Sequence, residues 1–169
     1  NAMKSPEEAM DAINNGQADW APGISREDAV IYAEYELWKR AYDMIDYNDM
    51  LYLPTMIIEN YPEVAATWQG MFDHVMVDEY QDTNRPQYLL IRYLTSSHRN
   101  LCVVGDPDQS IYKWRGADLQ NILDFEHDFP EARIVRLERN YRSTQVILDV
   151  ASALISQNRN RKEKRLYTD

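Results

Sequence analysis

Two apolar runs of strand length each end abruptly in acidic residues. Val75-Met76-Val77 runs into Asp78-Glu79, and Leu101-Cys102-Val103-Val104 runs into Gly105-Asp106. Short continuous apolar runs suit strands buried on both faces of a parallel sheet, and open α/β sheets bind ligands at the carboxyl ends of their strands. Two adjacent carboxylates at such an end are what a magnesium–nucleotide site needs. One can hold the cation, directly or through water, and the other can orient a water for attack on phosphorus. An isolated Asp-Glu pair more often ends a strand and faces water. Three features weigh against that reading here. Gln81-Asp82 extends the pair into a polar loop, the second run continues into Asp106-Pro107-Asp108-Gln109, and Tyr112-Lys113-Trp114-Arg115 sets two aromatics and two cations in one short segment. Aromatics interleaved with cations match the stacking and phosphate contacts of single-stranded nucleic-acid binding. The competing role for Trp114 is in the core, since Trp is often largely buried, but its alternation with Lys113 and Arg115 argues against complete burial.

The elements that must position these groups follow from periodicity and caps. Strands are expected over 74–78 and 101–105. Between them Asn84 is a helix N-cap with Gln87 at the capping-box position, and Leu90, Ile91 and Leu94 form the buried face. Upstream, residues 4–15 read as a short helix starting at Ser5-Pro6, and 16–24 as a loop. Ser25 caps a longer helix with Asp28 at the box position. Ile31, Tyr35, Trp38, Tyr42 and Ile45 recur at steps of four and three, a stripe expected to be core. A helix is expected to begin at Asp46 and to kink or restart at Pro54, and another covers 63–72. Downstream, Leu119–Phe129 reads as an amphipathic helix stopped by Pro130, and Ala132–Leu137 as a third strand. Ser143 is expected to cap a helix with Ile147, Val150, Ala151 and Leu154 inward. The polar, basic tail from Gln157 to Asp169 is expected to fray.

The chain has 169 residues and a net charge of −10. That charge alone argues against a nucleic-acid binder. Its distribution is uneven: residues 1–100 carry 7 lysines and arginines against 17 acids, 101–169 carry 11 of each, and 133–165 carry 9 against 3. The acidity thus lies in the first half, and the back end is locally basic. No apolar run approaches the ~20 residues of a membrane span. The single cysteine, Cys102, lies in an apolar run, cannot form an internal disulfide and is expected to be a buried small hydrophobe, which fits a cytoplasmic protein. His74, His98 and His127 are scattered and suggest no metal centre.

Val77-Asp78-Glu79-Tyr80-Gln81-Asp82-Thr83-Asn84 resembles the second helicase motif of the Rep/UvrD/PcrA group of superfamily 1 DNA helicases. The stretch from Val104 to Ala117 is similar to their third motif, and Leu137-Glu138-Arg139-Asn140-Tyr141-Arg142-Ser143 to their fourth. Asp46-Tyr47-Asn48-Asp49-Met50-Leu51 resembles the group's Asp-Phe-x-Asp-Leu stretch, and the Leu53-Pro54 that follows looks most like the Rep branch. Three long motifs in order make the resemblance specific, and it covers most of the chain from about Asp46 onward. It implies an α/β fold: a partial RecA-like (P-loop NTPase) parallel sheet with flanking helices, preceded by a helical segment. Residues 1–45 would be a remnant of the helical insertion, 46–132 the C-terminal part of the first RecA-like domain, and 133–169 the beginning of the second.

The resemblance also implies an ATP-dependent helicase moving 3′ to 5′ on single-stranded DNA and working at a duplex junction, with ATP and Mg2+ as cofactors. Asp78 would hold the magnesium ion, and Glu79 would position and deprotonate the attacking water. Gln109 would report the γ-phosphate to the DNA loop, and Arg142 would act as an arginine finger. Asp78, Glu79, Gln109 and Arg142 would together line the nucleotide. Tyr112 and Trp114 would stack on bases, and Arg115 would contact the DNA. The alternatives are the helicase part of a recombination nuclease–helicase, or a non-enzymatic relic that binds DNA or protein. None of the five glycines precedes a lysine, so the phosphate-cradling G-x-x-x-x-G-K-[S/T] loop is absent. The chain therefore reads as a fragment, inactive by itself, with sheet edges open to self-association.

Overall fold

The computed structural model describes Glu7, Glu8, Asp11, Asn14, Asn15, residues 25–158 and residues 164–169. The helix expected over 4–15 and the loop over 16–24 lie largely outside the described residues. Two compact units emerge, one formed by 1–75 with 84–101 and the other by 76–83 with 102–169.

The first unit is helical. Helix α1 (Arg26–Ala41) starts on the expected capping box: Asp28 N–H donates to Ser25 Oγ at 3.2 Å, and Ser25 N–H donates to Asp28 Oδ2 at 2.8 Å. Its apolar stripe is not core. Ile31, Tyr35, Trp38, Tyr42 and Ile45 are all exposed, while Ala29 and Lys39 are buried. Periodicity marks a face as apolar, but no described segment lies over this one. Helix α2 (Asp49–Asn60) begins three residues later than expected, because Asp46 Oδ1 stays outside and accepts from the N–H groups of Asn48 and Asp49 at 2.7 and 3.0 Å. It runs through Pro54 as one helix, with no restart there. Proline removes one backbone donor, and packing of α2 on the neighbouring helices holds the rest. Helix α3 (Pro62–Gln69) has proline in its first turn, where no donor is lost, and Trp68 and Met71 are exposed. Helix α4 (Arg85–Thr95) has the Asn84–Gln87 capping box, packs on α2 and α3, and buries Pro86, Tyr88 and Thr95, with Leu90, Ile91 and Leu94 half-buried. Gln69 ties α3 to α4 by donating to Tyr93 C=O at 2.8 Å.

Strands β1 (Val75–Val77) and β2 (Leu101–Val103) form a two-stranded parallel sheet with register set by Val75 N–H to Asn100 C=O and Val104 N–H to Val77 C=O. Both strands alternate rather than being buried on two faces. Met76 and Cys102 point to solvent, so Cys102 is not the buried hydrophobe expected. A pair of strands has cover for one face only.

In the second unit the expected helix 119–129 is split into α5 (Gln120–Leu123) and α6 (Phe125–Asp128), with the break at Asp124. Phe125 packs edge-on against Tyr80 at 5.6 Å and stacks on Phe129 at 4.8 Å, which fixes the second segment on the buried Tyr80 ring. The third strand over 132–137 does not form, and Ile134, Val135 and Leu137 are exposed. Pairing comes two residues later, where Arg139 bridges Tyr167 in parallel: Asn140 N–H donates to Tyr167 C=O and Tyr167 N–H to Glu138 C=O. The chain end is thus tied down, not frayed, and Thr168 N–H also donates to Gln145 Oε1 at 3.0 Å. Helix α7 (Gln145–Ile155) takes Thr144 as its N-cap in place of Ser143, whose N–H instead donates to Asn140 Oδ1. Leu148 is its buried residue, and Ile147, Val150, Ala151 and Leu154 are exposed, contrary to expectation.

Candidate nucleotide site and nucleic-acid loop

The acidic residues sit where the sheet ends. Past β1 the parallel ladder gains one more rung, Tyr80 N–H to Val104 C=O at 2.9 Å, which holds the two strand ends side by side. Between them Glu79 adopts a left-handed backbone, φ 50° and ψ 41°. A non-glycine residue there is sterically disfavoured, and such residues cluster at functional sites. Asp78 Oδ1 accepts from Glu79 N–H at 2.9 Å. Both carboxylates remain exposed, as a group that must meet a cation or a water requires. The turn that follows is anchored from below. Tyr80 is fully buried, Thr83 Oγ1 donates to Tyr80 C=O at 2.7 Å, and the buried Asn121 amide donates to Thr83 C=O at 3.0 Å.

The second acidic loop is joined to the first by one side chain. Gln81 donates through Nε2 to Glu79 Oε2 at 2.7 Å and accepts through Oε1 from Asp106 N–H at 3.0 Å. Asp106 in turn accepts from Gln109 Nε2 at 2.7 Å and from Asp108 N–H at 3.0 Å. Lys164 pairs with Asp106 and lies 3.4 Å from Asp108. Burial pushes the Asp106 carboxyl up, but Lys164, Gln109 and the Asp108 N–H outweigh it and hold the group below the usual carboxylate range. Glu79, Gln109 and Asp106 thus belong to one hydrogen-bonded chain. Gln81 and Lys164 are members that the sequence reading missed. Gln81 stands two residues past Glu79 and read only as polar loop, and Lys164 gave no signal of its partner 58 positions away.

Position 105 has little room for a side chain. A Cβ there would lie 2.7 Å from Gln81 Oε1 and 2.9 Å from Ile122 Cδ1, so any side chain would displace the amide that bridges the loops.

The aromatic–basic segment forms a separate cluster on the same loop. Lys113–Arg115 is a single 3₁₀ turn closed by Gly116 at φ 88°. Trp114 is 74% exposed, which removes its core role in this structure. The Arg115 guanidinium lies 4.6 Å from the Trp114 ring and 5.2 Å from that of Tyr112. Arg142 is exposed, its backbone held by donation to Asn140 Oδ1 at 2.9 Å, and it is not part of the Glu79–Gln109 chain.

Among the described residues, Glu36, Asp46 and Asp49 offer carboxylate oxygens within 4.8 Å of one another. Their centre is taken by the Lys39 ammonium, at 2.7, 3.1 and 2.7 Å respectively. No helix among the described residues is long and apolar enough to cross a membrane.

The model of the UvrD/REP helicase N-terminal domain matches residues 2–130. The ATP-dependent DNA helicase PcrA of Staphylococcus epidermidis (strain RP62A) is 43% identical over 168 residues, covering 99% of this chain and 22% of that protein. The protein of the same name from Staphylococcus aureus (strain Mu50) is 44% identical over 168 residues, with the same shares. The chain therefore spans about a fifth of the length of these relatives. With a family model matching residues 2–130 and relatives 43–44% identical over 168 residues, this chain belongs to the UvrD/REP helicase family.

Proposed function

We propose that this chain is the part of an ATP-dependent 3′→5′ DNA helicase that activates water for ATP hydrolysis and couples hydrolysis to the grip on single-stranded DNA at a duplex junction. In this reading residues 46–132 are the C-terminal part of a RecA-like ATPase domain, 133–169 begin a second, and 1–45 belong to a helical insertion. The observation that carries it is the hydrogen-bonded chain from Glu79 through Gln81 and Asp106 to Gln109, on a loop that continues into an exposed Trp114. Each residue has a separate task. Asp78 uses Oδ1 on the Glu79 N–H, and its carboxylate is exposed to take a magnesium ion. Magnesium, when bound with ATP, neutralises charge on the β- and γ-phosphates. Glu79 accepts a proton from the water that attacks phosphorus. Gln109, held by Asp106, contacts the γ-phosphate side, and Arg142 stabilises transition-state charge. Tyr112 and Trp114 stack on bases, and Arg115 adds a cation.

Two outcomes follow from this assignment. The 169-residue chain by itself is expected to hydrolyse no ATP, because no Gly-Lys loop is present to cradle the phosphates. DNA-stimulated phosphate release by the purified chain, above that of its Glu79→Gln variant, would contradict this. In the full-length protein, Trp114→Ala is expected to weaken single-stranded DNA binding about 5- to 150-fold, the equivalent of ~1–3 kcal/mol of stacking. Its thermal midpoint should hold, since Trp114 is exposed. Fluorescence anisotropy with an oligonucleotide checks it, and unchanged affinity would remove Trp114 from the DNA site.

A further inference from the structure

The Gln81 side chain is 1% exposed and lies between the two loops that carry the site acids. A buried amide must satisfy both its donors and its acceptor, and here the partners fix which end is which. The Asp106 N–H can only donate, so the atom 3.0 Å from it is the carbonyl oxygen. The amino group then faces Glu79 Oε2 at 2.7 Å and Asp82 Oδ2 at 3.3 Å. Turning the amide over would set donor against donor at Asp106 and oxygen against a carboxylate at Glu79. The surroundings hold it in place. Gly105 leaves room for the carbonyl oxygen, and Ser110 Oγ donates to the Gln81 backbone C=O at 3.2 Å. Glu79 is exposed and gains little support from packing. Among the described residues, Gln81 supplies the one hydrogen bond to its carboxylate.

We infer that Gln81 is a positioning residue for phosphoryl transfer: it fixes the orientation of the Glu79 carboxylate and ties that orientation to the backbone of the 105–109 loop. A shift of that loop is then transmitted through one rigid amide to the group that aims the water. The inference rests on the proposed role of Glu79 in activating water.

The test uses the full-length protein. Gln81→Met keeps length and volume and removes both polar ends. It should lower kcat about 10- to 100-fold, as expected when a reacting group loses its aim. KM for ATP should stay within about threefold, since ground-state binding is untouched. The ratio of DNA-stimulated to basal turnover should also fall. A role confined to stability would lower the thermal midpoint and leave kcat per folded molecule unchanged. Gln81→Glu keeps the acceptor toward Asp106 and sets a carboxylate against Glu79, so its kcat should fall at least as far. If the methionine protein does not fold, the glutamate variant is read by the same criteria. If both variants keep kcat per folded molecule while Glu79→Gln has lost turnover, the positioning role is overturned and the role of Glu79 stands. If Glu79→Gln itself turns over normally, Gln81 has no base to position and both fall.

Discussion

Replacing Glu79 by glutamine in the full-length protein is expected to lower ATP turnover about 100- to 10,000-fold, the range over which a general base contributes. The structure explains why this substitution isolates chemistry from shape. Glu79 is exposed, so no packing is disturbed. Its carboxylate accepts one hydrogen bond from Gln81 Nε2, and an amide at position 79 can present its own oxygen to that donor by rotating its terminal group. The side chain keeps its place and loses only the ability to take a proton. Nucleotide affinity and thermal midpoint should therefore remain close to wild type. Steady-state phosphate release with saturating single-stranded DNA checks the prediction, and a variant retaining more than about a tenth of wild-type turnover would show that Glu79 is not the base.

The second large effect is on stability, in the helical unit. Lys39 is 4% exposed and its ammonium meets Glu36, Asp46 and Asp49, while the Tyr35 hydroxyl donates to Asp46 at 3.0 Å. Burial disfavours the charged ammonium, but the bonds to Asp49, Glu36 and Asp46 outweigh it and raise its pKa above the ordinary lysine value. For Asp46, burial pushes the carboxyl up, and the Asp49 N–H, Lys39, Tyr35 and the Asn48 N–H together bring it below its ordinary value. The signs define a window. The raised lysine contributes stability below its unfolded pKa of ~10.4 and loses it as pH rises through the folded value. The depressed aspartate contributes above ~3.9 and loses it as pH falls through its folded value. Across neutral pH both contributions are present in full.

Lys39→Met keeps the stem and removes the charge, leaving three carboxylates facing one another. Breaking a buried ionic cluster from one side costs ~3–5 kcal/mol. For a chain of this size that is a fall of roughly 6–20 °C in the thermal midpoint at pH 7. The gap from wild type should narrow toward pH 4 as the stranded carboxylates take up protons. Circular-dichroism melts at the two pH values measure both effects, and a midpoint within about 2 °C of wild type at pH 7 would mean that the cluster contributes little.

What the sequence disclosed and what it withheld divide along physical lines. The capping boxes at Ser25–Asp28 and Asn84–Gln87 were legible because each is closed within four residues. The acidic strand ends were legible for the same reason, and so was the exposed aromatic–basic turn. Burial of Lys39 was not, because its partners lie partly on the next helix and no local pattern announces them. The stripe from Ile31 to Ile45 and the apolar residues of α7 were read correctly as apolar and wrongly as covered, since periodicity reports a face and not its neighbour. The strand expected over 132–137 has the right composition but no partner strand beside it; pairing starts instead at Arg139, where Tyr167 is available. Gln81 carries no sequence signal of its place, because a glutamine in a polar loop looks alike whether it faces water or bridges two acidic loops.

The left-handed backbone of Glu79 bears on how variants of this protein would be ranked. Glycine or asparagine would occupy that conformation with less strain, by ~1–2 kcal/mol for a residue without Cβ crowding. A selection scheme that scores only melting temperature would favour such replacements and, on the proposed role of Glu79, discard the water-activating carboxylate with them. At Lys39 the same scheme would reject the damaging change. Heat tolerance is thus a sound guide to the helical unit and, on the proposed role of Glu79, a misleading one at the strand end.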